Sequence, residues 1–101
     1  MKTLHTLNAS AREVPDLLAR LLRSASPGDS VLLIEDGVYN LADSTALAAI
    51  DAGELGLYAL QTDLAARGLQ ALAAEAGTAL VDDSGFVTLA CNHAKVVSWC
   101  R

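Results

Sequence analysis

The 101-residue chain has little of most things that would announce a chemistry. Its two cysteines, Cys91 and Cys100, form neither a C-x-x-C pair nor a disulfide framework. Two prolines and seven glycines are too few for a low-complexity or disordered chain. Four aromatic residues give no run of ring platforms on which nucleic-acid bases would stack. Bases are also scarce, with seven Lys/Arg against twelve Asp/Glu and a net charge of −5. Residues 1–30 carry a net +1 and residues 31–101 a net −6, so most of the chain repels a phosphate backbone. No apolar run approaches the roughly 20 residues that span a bilayer. The opening Met1–Asn8 shows neither an export leader's apolar stretch nor its small-residue cleavage site. Together these predict a single domain over residues 1–101 in the reducing cytoplasm, with no direct nucleic-acid or membrane partner.

What is abundant is the means to bury a core. Hydrophobic residues make up 52% of the chain, and 19 alanines and 18 leucines favour helices. Lys2–Leu7 alternates polar and apolar residues as a short strand does. Val14, Leu17, Leu18, Leu21 and Leu22 then fall on one helical face, with Pro15 in the first turn. Ser26-Pro27-Gly28-Asp29 ends that helix, and Val31–Ile34 is apolar on both faces, as a central parallel strand requires. Residues 41–52 read as a helix, 55–60 as a strand, and 62–67 as a short helix stopped by Gly68. A strand over 78–82, a helix over 85–93 capped by Asp83 or Ser84, and a strand over 95–99 complete the chain. The order β-α-β-α-β-α-β-α-β predicts an α/β domain with a mostly parallel sheet of about five strands and helices on both faces.

Functional residues in such a sheet gather beyond the carboxyl ends of the strands. Those loops are Asn8–Ser10, Glu35–Asn40, Gln61–Asp63 and Asp82–Gly85. None carries a phosphate-binding glycine motif or a nucleophile elbow. Glu35-Asp36-Gly37-Val38-Tyr39 is the richest of them. Two adjacent carboxylates suit acid/base work or a cation. The simpler reading is a tight turn in which Gly37 takes a positive φ and Tyr39 packs over the sheet edge. Asp82-Asp83-Ser84-Gly85 divides the same way, with helix capping the simpler account. His5 and His93 read as structural, since nothing pairs them with a nucleophile. Cys91 falls near a helix C-terminus, the wrong end for lowering a thiol pKa, and Cys100 beside Arg101 at the chain's end. No residue pattern calls for a cofactor or a metal, and no residue is assigned a catalytic role.

An ordered set of segments then resembles a known family. Leu4-His5-Thr6-Leu7-Asn8 with Ser10, Leu32–Tyr39, Leu57–Leu60, Asp63–Gly68, Asp82, Gly85-Phe86-Val87, and Val97 with Trp99 look like the TusB/DsrH family across nearly the whole chain. The resemblance implies a DsrEFH-like fold and a subunit of a sulfur-relay complex. It implies assembly with TusC-like and TusD-like homologous subunits in a dimer of heterotrimers, which passes sulfur through a TusE-like carrier toward 2-thiolation of the tRNA wobble uridine. In the TusD/DsrE-type subunit the relay cysteine follows the third strand; the matching Gln61-Thr62-Asp63 has none. DsrH-type members carry a cysteine in the first helix, and residues 14–23 have none, which tilts the reading toward TusB and a structural role. The alternatives are a DsrH-like subunit of a sulfur-oxidation complex, or a small thiol enzyme using Cys91 or Cys100. Residues Glu35, Asp36, Gly37, Val38 and Tyr39 are expected to line a subunit contact or the cleft near a partner's relay cysteine.

Overall fold

A computed structural model describes residues 1–101. The strands are β1 (Thr3–Leu7), β2 (Ser30–Leu33), β3 (Gly56–Leu60), β4 (Ala79–Val81) and β5 (Lys95–Trp99). The helices are α1 (Pro15–Ser24), α2 (Ser44–Ala52), α3 (Gln61–Arg67), α4 (Gln70–Glu75) and α5 (Asp83–Cys91), with a 3-10 helix over Glu35–Ala42. All strand pairs are parallel, in the order β4-β3-β2-β1-β5.

That order decides which face each helix covers. From β1 to β4 the chain adds strands in one direction, so right-handed crossovers place α1 to α4 on one face. The last connection returns from one edge of the sheet to the other, which sends α5 across the opposite face. Side chains agree with this. Leu7, Val31, Leu33 and Ala59 of the sheet join Leu17, Leu18 and Leu21 of α1, Ala46 and Ile50 of α2, Leu64 and Ala73 in one buried cluster. Leu4 and Leu32, equally buried, lie outside it on the other face. There His93, just past α5, reaches Ser30 Oγ at 3.1 Å.

Sequence and structure part company in four places. The stretch expected as a turn at 35–40 is a 3-10 helix, and α2 begins at Ser44 rather than at 41. A fifth helix, α4, was not legible as a separate element. Its six residues are too few to show a period, and Gly68 (φ +66°) only marks where α3 stops. Asp82, not Asp83 or Ser84, caps α5 by accepting the Gly85 N–H at 2.7 Å. All five residues of β1 are buried despite their alternating polarity.

Two of the buried polar residues of β1, Thr3 and His5, share one carboxylate. Asp29, 4% exposed, accepts the N–H of Thr3 (3.0 Å) through Oδ1 and that of Ser26 (3.1 Å) through Oδ2. Its Oδ2 also accepts from His5 Nε2 at 3.0 Å. Burial alone raises a carboxyl pKa, but here the bonds from His5, Thr3 and Ser26 outweigh it and hold Asp29 below its ordinary value of 3.8. No helix of the structure is long and apolar enough to cross a membrane.

Asp29→Ala takes the acceptor from two buried donors, the Thr3 N–H and His5 Nε2, and is expected to cost roughly 2 to 4 kcal/mol in chemical denaturation at neutral pH. Because folding depresses the Asp29 pKa, its contribution is whole above the unfolded value and is lost as pH falls through the lower folded one. The stability gap between wild type and Asp29→Ala should therefore be no smaller at about pH 5 than at pH 7 and close only below about 4.

Candidate functional site

Three of the carboxyl-end loops meet in one place, and the rivet between two of them is Asn40. Its side chain is fully buried. Oδ1 accepts the Ala11 N–H at 2.8 Å, while Nδ2 donates to Ala9 O (3.1 Å) and Gly37 O (2.9 Å). This fixes the 3-10 helix against the loop that follows β1. Gly37 sits at the point of closest approach, where a Cβ would stand 2.0 Å from Leu7 O. The glycine is required by proximity to backbone. Its φ is not positive; the left-handed residue in this stretch is Glu35 (φ 48°).

Glu35 is held in that conformation by the third loop. Its N–H donates to Asp63 Oδ2 at 2.7 Å, in the first turn of α3. One turn on, Arg67 donates from Nε (3.1 Å) and Nη2 (3.0 Å) to Asp36 Oδ1, and from Nη1 to Asp63 O (3.2 Å). Its guanidinium also lies 5.9 Å from the ring centroid of Tyr39. Tyr39 therefore does not pack over the sheet edge. It is exposed and covers Arg67. Of the five singled-out residues, Gly37 and Val38 are buried, Asp36 is half-buried and Glu35 and Tyr39 are exposed.

Beside this joint opens a cleft of about 460 Å³ lined by Ser10, Arg12, Glu13, Asp36, Tyr39, Ala42 and Asp43. Its charges have partners: Arg12 lies 3.9 Å from Asp43 within the lining, and Glu13 accepts at 2.7 Å from Arg101 outside it. Ser10 Oγ accepts the Glu13 N–H, so its lone pairs serve the loop. Neither histidine reaches it. His5 is occupied by Asp29 and Trp99, and His93 by Leu89 O (2.7 Å) and Ser30. No three His, Cys, Asp or Glu side chains are grouped to hold a metal. The arrangement can present a shaped, paired-charge surface; it assembles no nucleophile with a base.

A second feature was not visible in the sequence. α3 and α5 leave neighbouring strands β3 and β4 toward opposite faces, so the topological switch of the sheet lies between Gln61–Asp63 and Asp82–Asp83. A shallow pocket of about 340 Å³ lies there, lined by Gln61, Thr62, Leu64, Ala65, Gln70 and Leu80. It contains no thiol. Cys91 is exposed at the end of α5, and Cys100 is exposed beyond β5, on the opposite side of the sheet from β3.

Comparison with known proteins gives this arrangement relatives. Residues 12–96 match the family described as DsrH like protein. A protein named TusB from Sodalis glossinidius is 40% identical over 83 residues, covering 81% of this chain and 86% of the relative. TusB from Erwinia tasmaniensis is 37% identical and that from Escherichia coli 36%, each over 97 residues, 95% of this chain and 99% of the relative. Among solved structures, a conserved protein of unknown function from Bacteroides thetaiotaomicron superposes with a TM-score of 0.67 at 16% identity. It covers 95% of this chain and 93% of its own, a likeness of fold.

The close approach at residue 37 makes a sharp test. Gly37→Ala is expected to cost about 3 kcal/mol or more, because the obstructing atom is backbone, and to lower the melting temperature by more than about 10 °C. Gly77→Ala also places a Cβ on a left-handed residue, but with nothing within 4 Å, and should cost only about 1 to 2 kcal/mol. Equal melting temperatures for the two variants would contradict the packing described here.

Proposed function

The chain belongs to the DsrH-like family, and from that premise we propose that it is a subunit of a sulfur-relay complex serving 2-thiolation of the tRNA wobble uridine. In this reading it is a structural member of the complex and carries no sulfur itself. The observation that carries it is the switch-point loop Gln61-Thr62-Asp63, which holds no thiol. A persulfide relay needs an accessible thiolate where a partner's sulfur can reach it. Cys100 lies three strand spacings from β3, roughly 14 Å across the sheet. Cys91 ends α5, on the opposite face of the sheet from α3.

The names of the relatives favour TusB, and α1 has no cysteine of the kind DsrH-type members carry. Partners in this reading are TusC-like and TusD-like chains of the same fold, with a TusE-like carrier meeting the assembled complex in the cytoplasm. In this reading Glu35, Asp36 and Tyr39 face the contact or the cleft toward the partner's relay cysteine, and the buried Gly37 and Val38 hold their loop in place beneath them. The Arg67–Asp36 pair ties the end of α3 to the 3-10 helix beside that surface.

Two measurements test the reading. A tagged copy expressed from its own genome should bring down two small α/β chains, one with a cysteine after its third strand, and loss of the gene should abolish wobble 2-thiouridine. Recovery of the tagged chain alone, with thiolation intact after its loss, would refute the assignment. Separately, the Cys91→Ser, Cys100→Ser double variant should support 2-thiouridine at close to the wild-type level in an intact complex. Loss of thiolation there would show that this subunit handles sulfur itself.

A further inference from the structure

The network around His5 constrains where its proton sits. Trp99 Nε1 lies 3.1 Å from His5 Nδ1, and an indole nitrogen can only donate. Nδ1 is therefore the acceptor, and the single ring proton is on Nε2, pointing at Asp29 Oδ2. A second proton on Nδ1 would set two N–H donors head to head. The His5–Trp99 bond exists only while His5 is neutral.

The surroundings set the balance. Asp29, from the turn before β2, is the only carboxylate on the cavity of about 350 Å³ beside His5, and it favours an imidazolium. Lys95 of β5 and Met1 at the amino terminus line the same cavity, and Arg20 of α1 stands 5.8 Å from the Trp99 ring centroid. These cations oppose it. Ser24 of α1, Ser26 and Thr3 are the uncharged polar neighbours.

We propose that His5 is an acid-sensitive latch on the C-terminal strand: proton uptake at Nδ1 expels the Trp99 indole and loosens the end of β5. The effect does not stop at the strand. Asn8 donates its N–H to Trp99 O (3.3 Å) and accepts the Arg101 N–H through Oδ1 (2.9 Å), and Arg101 in turn grips Glu13 on the wall of the cleft. Releasing Trp99 slackens the strap that braces the loop Ser10–Glu13. Neutral conditions keep the cleft in its described shape, and acid relaxes it.

Trp99 is the only tryptophan, so the latch has its own reporter. The experiment is a ¹⁵N titration of the full chain from about pH 8 to about 5, the span in which histidines exchange charge, with partners unlabelled if they are needed for solubility. His5 Nδ1 should begin unprotonated. As it gains its proton, the Trp99 indole N–H should shift in step and lose about tenfold of its exchange protection, the factor one net hydrogen bond supplies. Ser10–Glu13 should shift at the same pH. His5→Gln should abolish the pH-dependent shift of the Trp99 indole N–H, and His93→Gln should keep it. Protonation of Nδ1 with an unmoved indole overturns the proposal, as does a His5 that stays neutral throughout. The wild-type titration decides the matter even if His5→Gln does not fold.

Discussion

The right-handedness of parallel crossovers governs where every helix lies, because β5 joins the sheet on the side opposite to its direction of growth. Four helices and a 3-10 segment share one face, and the nine residues of α5 must serve the other alone. The two faces are unequal as a result. The first buries a continuous cluster, while α5 has no buried residue and leaves Val87 and Val96 exposed. The same constraint separates the departures of α3 and α5 and so creates the switch between β3 and β4.

Polar groups inside the sheet follow from the same arrangement. β1 has neighbours on both sides and a helix layer on each face, so Thr3, His5 and Thr6 are buried with it. Water is not available to them, and a buried donor left unpaired costs more than a formed bond returns. Asp29 meets that demand for the Thr3 N–H and the His5 imidazole, and Trp99 completes the ring's partners. At the opposite end of the strands Asn40 does the equivalent work for Ala9, Ala11 and Gly37.

Much of this was legible in the sequence where the signal is local. The helical spacing of Val14 to Leu22, the apolar Val31–Ile34 and the Gly68 stop each depend on residues near in the chain, and each element formed where expected. What was not legible depends on distance. Nothing beside Asp29 distinguishes it from a turn aspartate, because the residues it serves are on β1. The bond between His5 and Trp99 joins residues 94 positions apart. In the candidate site, the acids, glycine and tyrosine at 35–39 were visible as a group, and so was the role of glycine there, but for a different physical reason. The partners that organise the group, Asn40, Asp63 and Arg67, were hidden because their bonds cross between loops.

Strand order also has a consequence for synthesis on the ribosome. β1 emerges well before β5, one of its two neighbours. Until residue 99 leaves the exit tunnel, the nascent sheet ends in an open β1 edge. His5 then has no indole, and α5 has not been drawn across to cover Leu4 and Leu32. Pairing β1 with β5 closes a loop of nearly the whole chain, whose entropy is lost before contacts repay it. An unpaired edge next to bare leucines is the form in which small parallel-sheet domains associate wrongly. This chain is therefore most open to wrong association in the interval between the completion of β4 and the arrival of Trp99.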